Sequence, residues 1–565
     1  MRLWVHEQID IDEATSHSLY QRLVWSLVWL GILNEGISAW QSWSTWGGAA
    51  VCAPLLVLIG IAGMAFIWLE EAAPSSLLQH LTVGLVAVAA FIGQVANIAT
   101  SKFYSTDAAA FNQQATALLL RGKNPYTHNL DAAAQYLKGI ANYWTYTVNG
   151  GYVNHMSYPA GGLLLQAPLQ MIDHWRPTDW TDLIAWFATT LIMYVAMPKS
   201  LRWISPLLML MGPYLFPAAN GGTDAMFMPF LLLAVWRWDR FSDHGASRWV
   251  RYCGPVALGV ACSIKQSPWF CVPFLVFGIY LEARSHHERA VSVALQYLAV
   301  VAGAFLLINA PFIMWSPTAW LRGILLPLTN PLIPEGQGLV TLAVHGIVRG
   351  VHMRILAIAG ALGWATVGLG YVLWYKNMKR AWLFLLPIVL FVPARSLSSY
   401  LVDFFPAAIL AAATTTAPTT TFLPRLRTPK RVALILAPVV ALLLTAGYSF
   451  SSPTLNVKVV TFSTLDSNLY LHSVTAQISN NSGKAVDAHV LVEIGSDHPT
   501  GFWFDSRDNN SLHLGPHETR TFRLHQPAWT FAPRLGQNWM LEVFTANPQT
   551  LNTSVPIVWK LSNSY

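Results

Sequence analysis

The sequence predicts a polytopic α-helical membrane protein with a C-terminal all-β domain. Two observations support this fold class. Only 11% of the 565 residues are charged and 54% are hydrophobic, whereas ordinary soluble domains carry about 25% charged residues. Near residue 453 the pattern changes from long apolar runs to period-two alternation. Such a charge-poor composition excludes a soluble globular protein, a disordered chain and a disulfide scaffold.

Apolar runs and basic loops together predict the topology. A run of about 20 apolar residues can cross a bilayer, and we expect about 13 spans before residue 453, several of them short. Lys and Arg concentrate in cytoplasmic loops, and a cytoplasmic N-terminus places all five basic clusters inside. We expect no signal peptide at the N-terminus. The clusters are Lys199/Arg202, Arg237/Arg240/Arg248/Arg251, Arg284/Arg289, Lys376/Lys379/Arg380 and Arg425/Arg427/Lys430/Arg431.

The same count predicts two long outer loops, residues 100–180 and 315–353, and we expect the protein in the plasma membrane. In the first loop we predict an amphipathic helix over 106–120 and a second helical stretch over 130–146. Residues 158–172 are apolar, but a full span there would invert everything after it, so we predict a re-entrant or surface-lying helix. The second loop shows a helical pattern over 343–351. We therefore divide the chain into an added helix pair (1–76), a transmembrane core (77–452) and an exported domain (453–565).

The exported domain is predicted to be a small β-sandwich, immunoglobulin-like. Six short alternating segments are typical of strands, and this region holds 7 basic and 8 acidic residues, so the basic excess belongs to the membrane part. The domain is either a packing or partner-docking module, or a carbohydrate-binding module that uses Trp503, Phe504 or Trp529. The predicted strands are LNVKVVTF, LHSVTAQISN, AHVLVEIG, ETRTFRLH, WMLEVFTA and VPIVWKL.

Ionisable residues near the outer membrane face are functional candidates because they are costly there. Each has a simpler alternative. Asp107 and Asp224 suit the first turns of helices, Lys265 and Arg395 suit snorkelling from the membrane edge, and His345 suits a surface position. Asp403 is as suited to pairing with Arg395 as to contacting a substrate, and Asp173, Asp179 and Asp182 are expected to be solvated loop or cap residues.

These residue types suit transfer of a sugar from a lipid phosphate. A carboxylate can deprotonate an acceptor hydroxyl, and a Lys with an Arg can hold the phosphate and stabilise it as the leaving group. The four cysteines lie in apolar stretches without a Cys/His cluster, so we expect no metal site. We expect no cofactor beyond the donor itself.

Several segments, in order, resemble the GT-C glycosyltransferases, and most of all the family 87 polyprenyl-phosphate-mannose-dependent mannosyltransferases. TDAAAFNQQATALLLRGKNPY resembles the family's first outer loop, in which an Asp and a helix precede an NPY stretch, here Asn124 to Tyr126. Tyr158-Pro159-Ala160 is similar to the family's YPP motif, with Ala160 in place of the second Pro. NGGTDAMFMPFLLLA, SIKQSPWFCVPFLV, SPTAWLRGILLPLTNPLIPEGQGL and ARSLSSYLVDFFPAAI resemble later turns and hairpins of the family.

The resemblance, which covers residues 100 to about 413, implies an inverting transferase. Asp107 corresponds to the general base, and Lys265 and Arg395 correspond to contacts with the lipid phosphate. Asp224 lies in the site wall or binds the sugar or acceptor. Besides Ala160, the chain departs from the family in two ways. Its catalytic loop follows the third span and not the first, and it carries an exported β-domain.

The leading functional hypothesis is an inverting glycosyltransferase that moves a sugar, mannose by the resemblance, from a polyprenyl-phosphate donor on the outer membrane face. Its partners are the lipid-linked donor, a glycolipid, glycan or protein acceptor, and membrane lipids, with no nucleic acid. Asp224, Lys265, Arg395, His345, Asn124, Tyr126 and Tyr158 are the candidate substrate-binding residues. A transporter or lipid flippase is the second hypothesis, and an envelope sensor or scaffold is the third.

Overall fold

The computed structural model describes residues 13–558 except 43–48, 70–75, 138–143, 216–221, 244, 246, 287–288, 330, 417–427, 466–469, 495–497, 506–508 and 528–531. The described helices are α1 (Glu13–Ser42), α2 (Ala49–Leu69), α3 (Ser76–Thr100), α4 (Asp107–Leu120), α5 (Gly161–Ile172), α6 (Pro177–Ala196), α7 (Ile204–Met209), α8 (Gly212–Leu215), α9 (Met228–Val235), α10 (Arg248–Ile264), α11 (Val272–Ser285), α12 (Ala290–Trp315), α13 (Pro317–Thr329), α14 (Thr341–Val344), α15 (Met353–Leu373), α16 (Tyr375–Met378), α17 (Trp382–Leu385), α18 (Pro387–Phe391), α19 (Ser398–Val402), α20 (Phe405–Thr414) and α21 (Thr428–Ser449). The strands are β1 (Glu335–Gly336), β2 (Gly350–His352), β3 (Arg395–Ser396), β4 (Leu455–Leu465), β5 (Tyr470–Asn480), β6 (Val486–Ile494), β7 (His498–Pro499), β8 (Leu512–Leu514), β9 (Thr519–His525), β10 (Asn538–Ala546), β11 (Gln549–Thr553) and β12 (Ile557–Val558).

The helical part is that of a membrane protein. Within the described ranges, four helical segments are long and apolar enough to cross a bilayer: residues 79–100, α12, α15 and α21. The apolar windows of α12 and α21 are only 17% and 11% buried, which leaves their side chains free to contact lipid. The predicted number of about 13 spans is not confirmed, because several apolar segments form short or broken helices. One reason is proline, which removes a backbone donor: Pro387 begins α18 and Pro406 lies in the first turn of α20.

The core of the helical part is formed by large apolar and aromatic side chains from α6, α9, α10, α11, α17 and α20 and from the turns that precede α9 and α20. Trp186, Phe227, Phe274, Trp382 and Phe404 are all buried there, and the rings of Phe274 and Trp382 stack with centroids 5.1 Å apart. This packing fixes the axes of the helices whose ends carry the candidate site.

The predicted helix over 106–120 is confirmed as α4, and residues 158–172 do contain a helix, α5. At 12 residues α5 is about 18 Å long, too short to span a bilayer. α4 is not an amphipathic surface helix, because its polar residues are buried as well. Asn112 donates to Gln166, Gln166 donates to Gln170 over 2.8 Å, and Gln170 donates to the carbonyl of Gln113 over 3.1 Å. This network joins α4 to α5.

Two predictions for the outer loops are wrong. The stretch 130–146 holds a short 3₁₀ helix, Asp131–Tyr136, and no α-helix among its described residues. The stretch 343–351 ends α14 and then becomes β2, which pairs antiparallel with β11, so Val351 lies opposite Leu551. The edge of β11 has backbone N–H and C=O groups that need hydrogen-bond partners. Residues 350–352 can satisfy them as a strand but not as a helix.

The C-terminal β-region is confirmed and contains two sheets. One has the order β4-β5-β9 and the other β2-β11-β10-β6-β7, with β8 on β6 and β12 on β10. Alternate side chains of both sheets, among them Val474, Val490, Trp503 and Leu541, fill the core between them. The predicted strand VPIVWKL is described only as the two-residue β12, and β11 was not predicted.

Neither of the two described aromatic residues proposed for sugar stacking is fully exposed. Trp503 is completely buried in the β-domain and donates to the hydroxyl of Thr500 over 2.9 Å. Phe504 is half-buried, and Trp529 lies outside the described residues. The hypothesis of carbohydrate binding through Trp503 is therefore wrong.

Candidate active site

Asp107 stands at the first position of α4, and the cap of that helix is its neighbour. Thr106 has extended backbone, and its hydroxyl accepts a hydrogen bond from the amide of Ala109 over 3.3 Å. The Asp107 carboxylate instead accepts from the amide of Thr145 over 2.8 Å. Because Thr106 supplies the side-chain cap, capping does not account for Asp107.

Asp107 has the electrostatic setting of a proton acceptor. Desolvation by the surrounding protein raises the pKa of its carboxyl, and the hydrogen bond from Thr145 and the charge of Arg395 offset part of that rise. The side chain is half-buried, so a ligand can still reach the carboxylate. A carboxylate with a raised pKa and access to a ligand is suited to take a proton near neutral pH.

Arg395 belongs to the same group of side chains. Its guanidinium donates to Glu335 over 2.8 Å and to the Thr145 hydroxyl over 3.3 Å. The parallel pairing of β1 with β3 places Glu335 opposite Arg395. The second terminal nitrogen, Nη1, has no partner among the described residues, and the side chain is 21% exposed. Arg395 therefore keeps donor capacity for a ligand.

Lys265 and Asp224 form a buried ion pair. Lys265 is 4% exposed, and its ammonium group also lies 3.4 Å from the carbonyl oxygen of Gly222. The turn that carries Asp224 begins at Thr223, whose φ is +54°, a conformation disfavoured for β-branched residues. The turn thereby brings Asp224 to the start of the helical segment that continues into α9.

Tyr158 and Tyr400 connect the two groups. The Lys265 ammonium lies 5.1 Å from the ring centroid of Tyr158 and 5.6 Å from that of Tyr400. Tyr158 lies close enough to Asp107 and Asp224 to interact with their charges. Tyr400 lies equally close to the charges of Arg395 and Glu335. The structure thus brings Asp107, Arg395, Lys265 and Asp224 into one site. Tyr400, Glu335 and Thr145 were missed because each is an ordinary residue type without a motif of its own.

The NPY stretch, Asn124 to Tyr126, is joined to the site by a hydrogen bond to Tyr158. The Asn124 side chain accepts from the amide of Tyr126 over 3.0 Å and so closes a turn. The buried Tyr126 hydroxyl donates to the carbonyl of Tyr158 over 2.8 Å. The Tyr126 hydroxyl is thus used to hold Tyr158, whereas the side-chain nitrogen of Asn124 is buried without a hydrogen-bond partner among the described residues.

Ala160, the departure from YPP, has a structural reason. Its amide donates to the side chain of the fully buried Asn309 over 3.0 Å, and a proline there has no N–H to donate. At the next residue, Gly161, an added methyl group would lie 2.6 Å from the carbonyl oxygen of Ser263. α5 therefore begins in close contact with the end of α10, next to Lys265.

Two aspartates differ from their sequence-based interpretation, and for a third, Asp403, one of two alternatives is removed. Asp179 and Asp182 are fully buried, not solvated. Asp179 pairs with Arg176, and Asp182 accepts from the amide of Thr223 over 3.1 Å. Asp403 is buried and is not the partner of Arg395, whose acidic partner is Glu335. Asp182 and Asp403 both lie in electrostatic reach of Asp224 and Lys265.

His345 is not brought into this group. It ends α14 and is half-buried. Among the described residues no hydrogen bond or ion pair joins its side chain to Asp107, Arg395 or Lys265. In the same residues, no group of three or more His, Cys, Asp or Glu side chains could hold a metal ion.

The β-domain lies against the loops that carry the site. Leu491, Phe544 and Leu551 pack with Tyr146 and Val351 in one apolar cluster. The side chain of Asn510 donates to the carbonyl of Gly150 over 3.1 Å. On the same face of β6 and β10, by strand alternation, stand the buried carboxylates of Glu493 and Glu542, and Glu542 is in electrostatic reach of Glu335. The β-domain thus adds acidic groups beside the site, which sequence patterning did not indicate.

Comparison with known proteins gives a distant structural likeness. No protein-family description and no curated protein matches the sequence. Two crystal structures of ArnT from Cupriavidus metallidurans are similar. The apo form is 16% identical over 64% of this chain and 63% of that chain, with a TM-score of 0.37. The form bound to undecaprenyl phosphate is 15% identical over 65% of this chain and 64% of that chain, with a TM-score of 0.38. The chain thus spans somewhat less than two thirds of ArnT, and the function proposed below is argued from the site.

Proposed function

We propose that the protein is an inverting glycosyltransferase of the GT-C type that uses a polyprenyl-phosphate sugar. The observation that carries the proposal is the meeting of Asp107, a carboxylate with a raised pKa, with the cations Arg395 and Lys265 in one site. A proton acceptor next to two phosphate-binding cations suits attack by a hydroxyl on a sugar whose leaving group is a lipid phosphate.

In the proposed step, a hydroxyl of the acceptor attacks the anomeric carbon while Asp107 takes its proton. The bond from the anomeric carbon to the phosphate oxygen breaks, and the polyprenyl phosphate leaves with the electron pair. Attack from the face opposite the leaving group inverts the anomeric centre. The phosphate departs already ionised, so the reaction needs no general acid.

Arg395 is the stronger candidate for the phosphate contact. It keeps an unpaired Nη1 and partial exposure, and its planar guanidinium can hold a phosphate with two donors. Lys265 is already paired with Asp224 and lies near two further aspartates, so it supports the phosphate from a compensated position. We assign Asp224 to the sugar or acceptor, and we leave His345 out of the site.

The donor sugar in this proposal is mannose, as the family 87 resemblance implies. The acceptor is a glycolipid, glycan or protein on the outer face of the plasma membrane, with the N-terminus in the cytoplasm and the β-domain outside. Docked over the site loops, the β-domain forms the wall on the acceptor side.

The proposal is tested with Asp107→Asn and the purified full-length protein. The amide can still accept the hydrogen bond from Thr145 but cannot take a proton, so transfer from radiolabelled polyprenyl-phosphate mannose to a membrane lipid extract should fall about 100-fold or more. Binding of polyprenyl phosphate should remain. The matched control is Asp173→Asn, because Asp173 is an exposed carboxylate that also accepts from a backbone amide, that of Trp175.

Wild-type transfer by Asp107→Asn would refute the assignment of the base. The wild-type protein could instead form no mannosylated product and move the labelled donor across the membrane of vesicles. That result would refute the transferase hypothesis and favour a flippase. The wild-type rate should also fall as the pH is lowered through the raised pKa of Asp107, because only the ionised carboxylate accepts a proton.

A further inference from the structure

A basic cavity lies at the opposite end of the helices that carry the site. It has a volume of about 400 Å³, and its polar lining includes Lys199, Arg202, Arg237 and Arg240. The rest of the lining is largely apolar and includes Val195, Met197 and Trp236. Two clusters that are separate in the sequence, Lys199/Arg202 and Arg237/Arg240, thus meet in one concave space.

Three parallel helices connect this cavity to the candidate active site. α6, α9 and α20 pack on one another. Asp182 lies near the start of α6, Asp224 just before α9 and Asp403 just before α20, while the other ends of these helices line the cavity. The amide of Arg237 lies 3.4 Å from the Thr414 hydroxyl, which ties the ends of α9 and α20 together. From Asp182 to Ala196 the distance along α6 is about 20 Å.

The helix ends do not neutralise this much positive charge. A helix C-terminus carries about −0.5 of an elementary charge, so three of them supply about −1.5 against four cations. The nearby acids Asp239 and Glu282 share the buried Lys379, which leaves about −1 between them. A net positive charge of between one and two therefore remains in the cavity.

Within the described part of the chain the four cations have no acidic partners. Among the described residues no ion pair involves any of the four, and the Nε of Arg202 is buried without a hydrogen-bond partner. Arg202 stands over the ring of Tyr194 and Arg237 over that of Trp236, at 5.3 and 5.4 Å from the centroids. Their guanidinium groups are thus held in place with free donors.

We propose that this cavity binds the phosphodiester headgroup of an anionic membrane lipid. Basic pockets between membrane helices bind such headgroups. The apolar rim of Val195, which is 70% exposed, and the half-buried Trp236 suit the glycerol and acyl portions that follow a lipid phosphate. A free phosphate shares the charge but leaves this rim unused. The site is independent of the reaction proposed for Asp107.

The test uses the purified full-length protein in neutral detergent, with native mass spectrometry and thermal unfolding as readouts. Phosphatidylglycerol, phosphatidylcholine and inorganic phosphate are added in separate arms. The wild-type protein should retain one phosphatidylglycerol tightly and gain thermal stability from it, while phosphatidylcholine and inorganic phosphate give no comparable effect. The double variant Arg202→Gln/Arg240→Gln should bind phosphatidylglycerol at least about 10-fold more weakly.

The matched control is Arg248→Gln/Lys376→Gln, which removes two exposed cations that do not line the cavity. Equal loss of lipid binding in both double variants would overturn the proposal in favour of general surface attraction. An equal effect of inorganic phosphate, or of phosphatidylcholine, would overturn the assignment to an anionic lipid. If the cavity variant does not fold, the exposed Lys199→Gln should still weaken binding severalfold, and wild-type binding by it would refute the site.

Discussion

At the scale of single residues, Lys265 holds together a group of carboxylates that would otherwise repel one another. Asp224 pairs with it directly, and Asp182 and Asp403 lie in electrostatic reach. All four side chains are almost completely buried. Removing one partner from a buried pair leaves an uncompensated charge, which costs more than replacing the pair as a whole.

Lys265→Met should therefore destabilise the protein by about 3–5 kcal/mol. The double variant Lys265→Met/Asp224→Asn should recover part of this loss, because the amide carries no charge that needs a partner. Denaturant or thermal unfolding of the purified protein in detergent measures both. If the two variants were equally destabilised, Lys265 would be important for its packing and not for charge compensation.

The residues of the site could be predicted from the sequence where a charge stands out against an apolar background. Asp107, Asp224, Lys265 and Arg395 were singled out for that reason, and the structure brings them together. Glu335 could not be selected, because its role depends on the parallel pairing of β1 with β3, two segments 60 residues apart. Tyr400 could not be selected either, because its role depends on the approach of Lys265 from another segment. His345 was also a candidate, but among the described residues no hydrogen bond or ion pair joins it to Asp107, Arg395 or Lys265.

At the scale of secondary-structure elements, tertiary contacts override local pattern at the edges of the β-domain. The stretch 343–351 has a helical pattern, yet β2 forms because β11 presents unpaired backbone groups. The strands β4, β5, β6, β9 and β10 were predictable because alternation of period two directly reports one buried face. By contrast, β2 is three residues long, and its partner is about 200 residues away.

The β2–β11 pairing should be important for holding the β-domain on the helical part. The amide of Thr553 donates to the carbonyl of Arg349 over 3.0 Å, and in an antiparallel ladder the next bonded pair is Val351 with Leu551. Val351→Pro removes that donor and should cost about 1–3 kcal/mol of docking stability. Limited proteolysis should then cleave more rapidly near residue 453.

The control is Val351→Ala, which shortens the same buried side chain but keeps its N–H. It should leave the junction closer to wild-type resistance than the proline variant does. Equal cleavage of the alanine and proline variants would assign the docking to the side chain of Val351 and not to the strand pairing.

At the scale of the whole molecule, the helices separate two kinds of chemistry. The acidic and basic groups of the candidate active site lie at one end of α6, α9 and α20, and unpaired cations line the cavity at the other. The sequence predicted this separation from the distribution of Lys and Arg in loops. It could not predict that the β-domain would bury two glutamates beside the site, because only the docked arrangement shows which sheet face is covered.

Glu542 should make the stability of the docked molecule depend on pH. Burial raises the pKa of its carboxyl well above the usual range, and the nearby charges of Glu493 and Glu335 raise it further. The folded state therefore binds a proton more tightly than the unfolded state, whose value is about 4.3. This contribution is complete below the unfolded pKa and is lost as the pH rises from that value to the folded pKa. Glu542→Gln should reduce the fall of Tm with rising pH and raise Tm by at least about 2 °C at pH 8. The exposed Glu518→Gln, whose carboxylate accepts from the amide of Gly515, should leave Tm and its pH dependence unchanged. A Glu542→Gln variant that is as pH-dependent as the wild type between pH 5 and 8, or less stable than it at pH 8, would contradict the prediction that the folded state keeps Glu542 protonated.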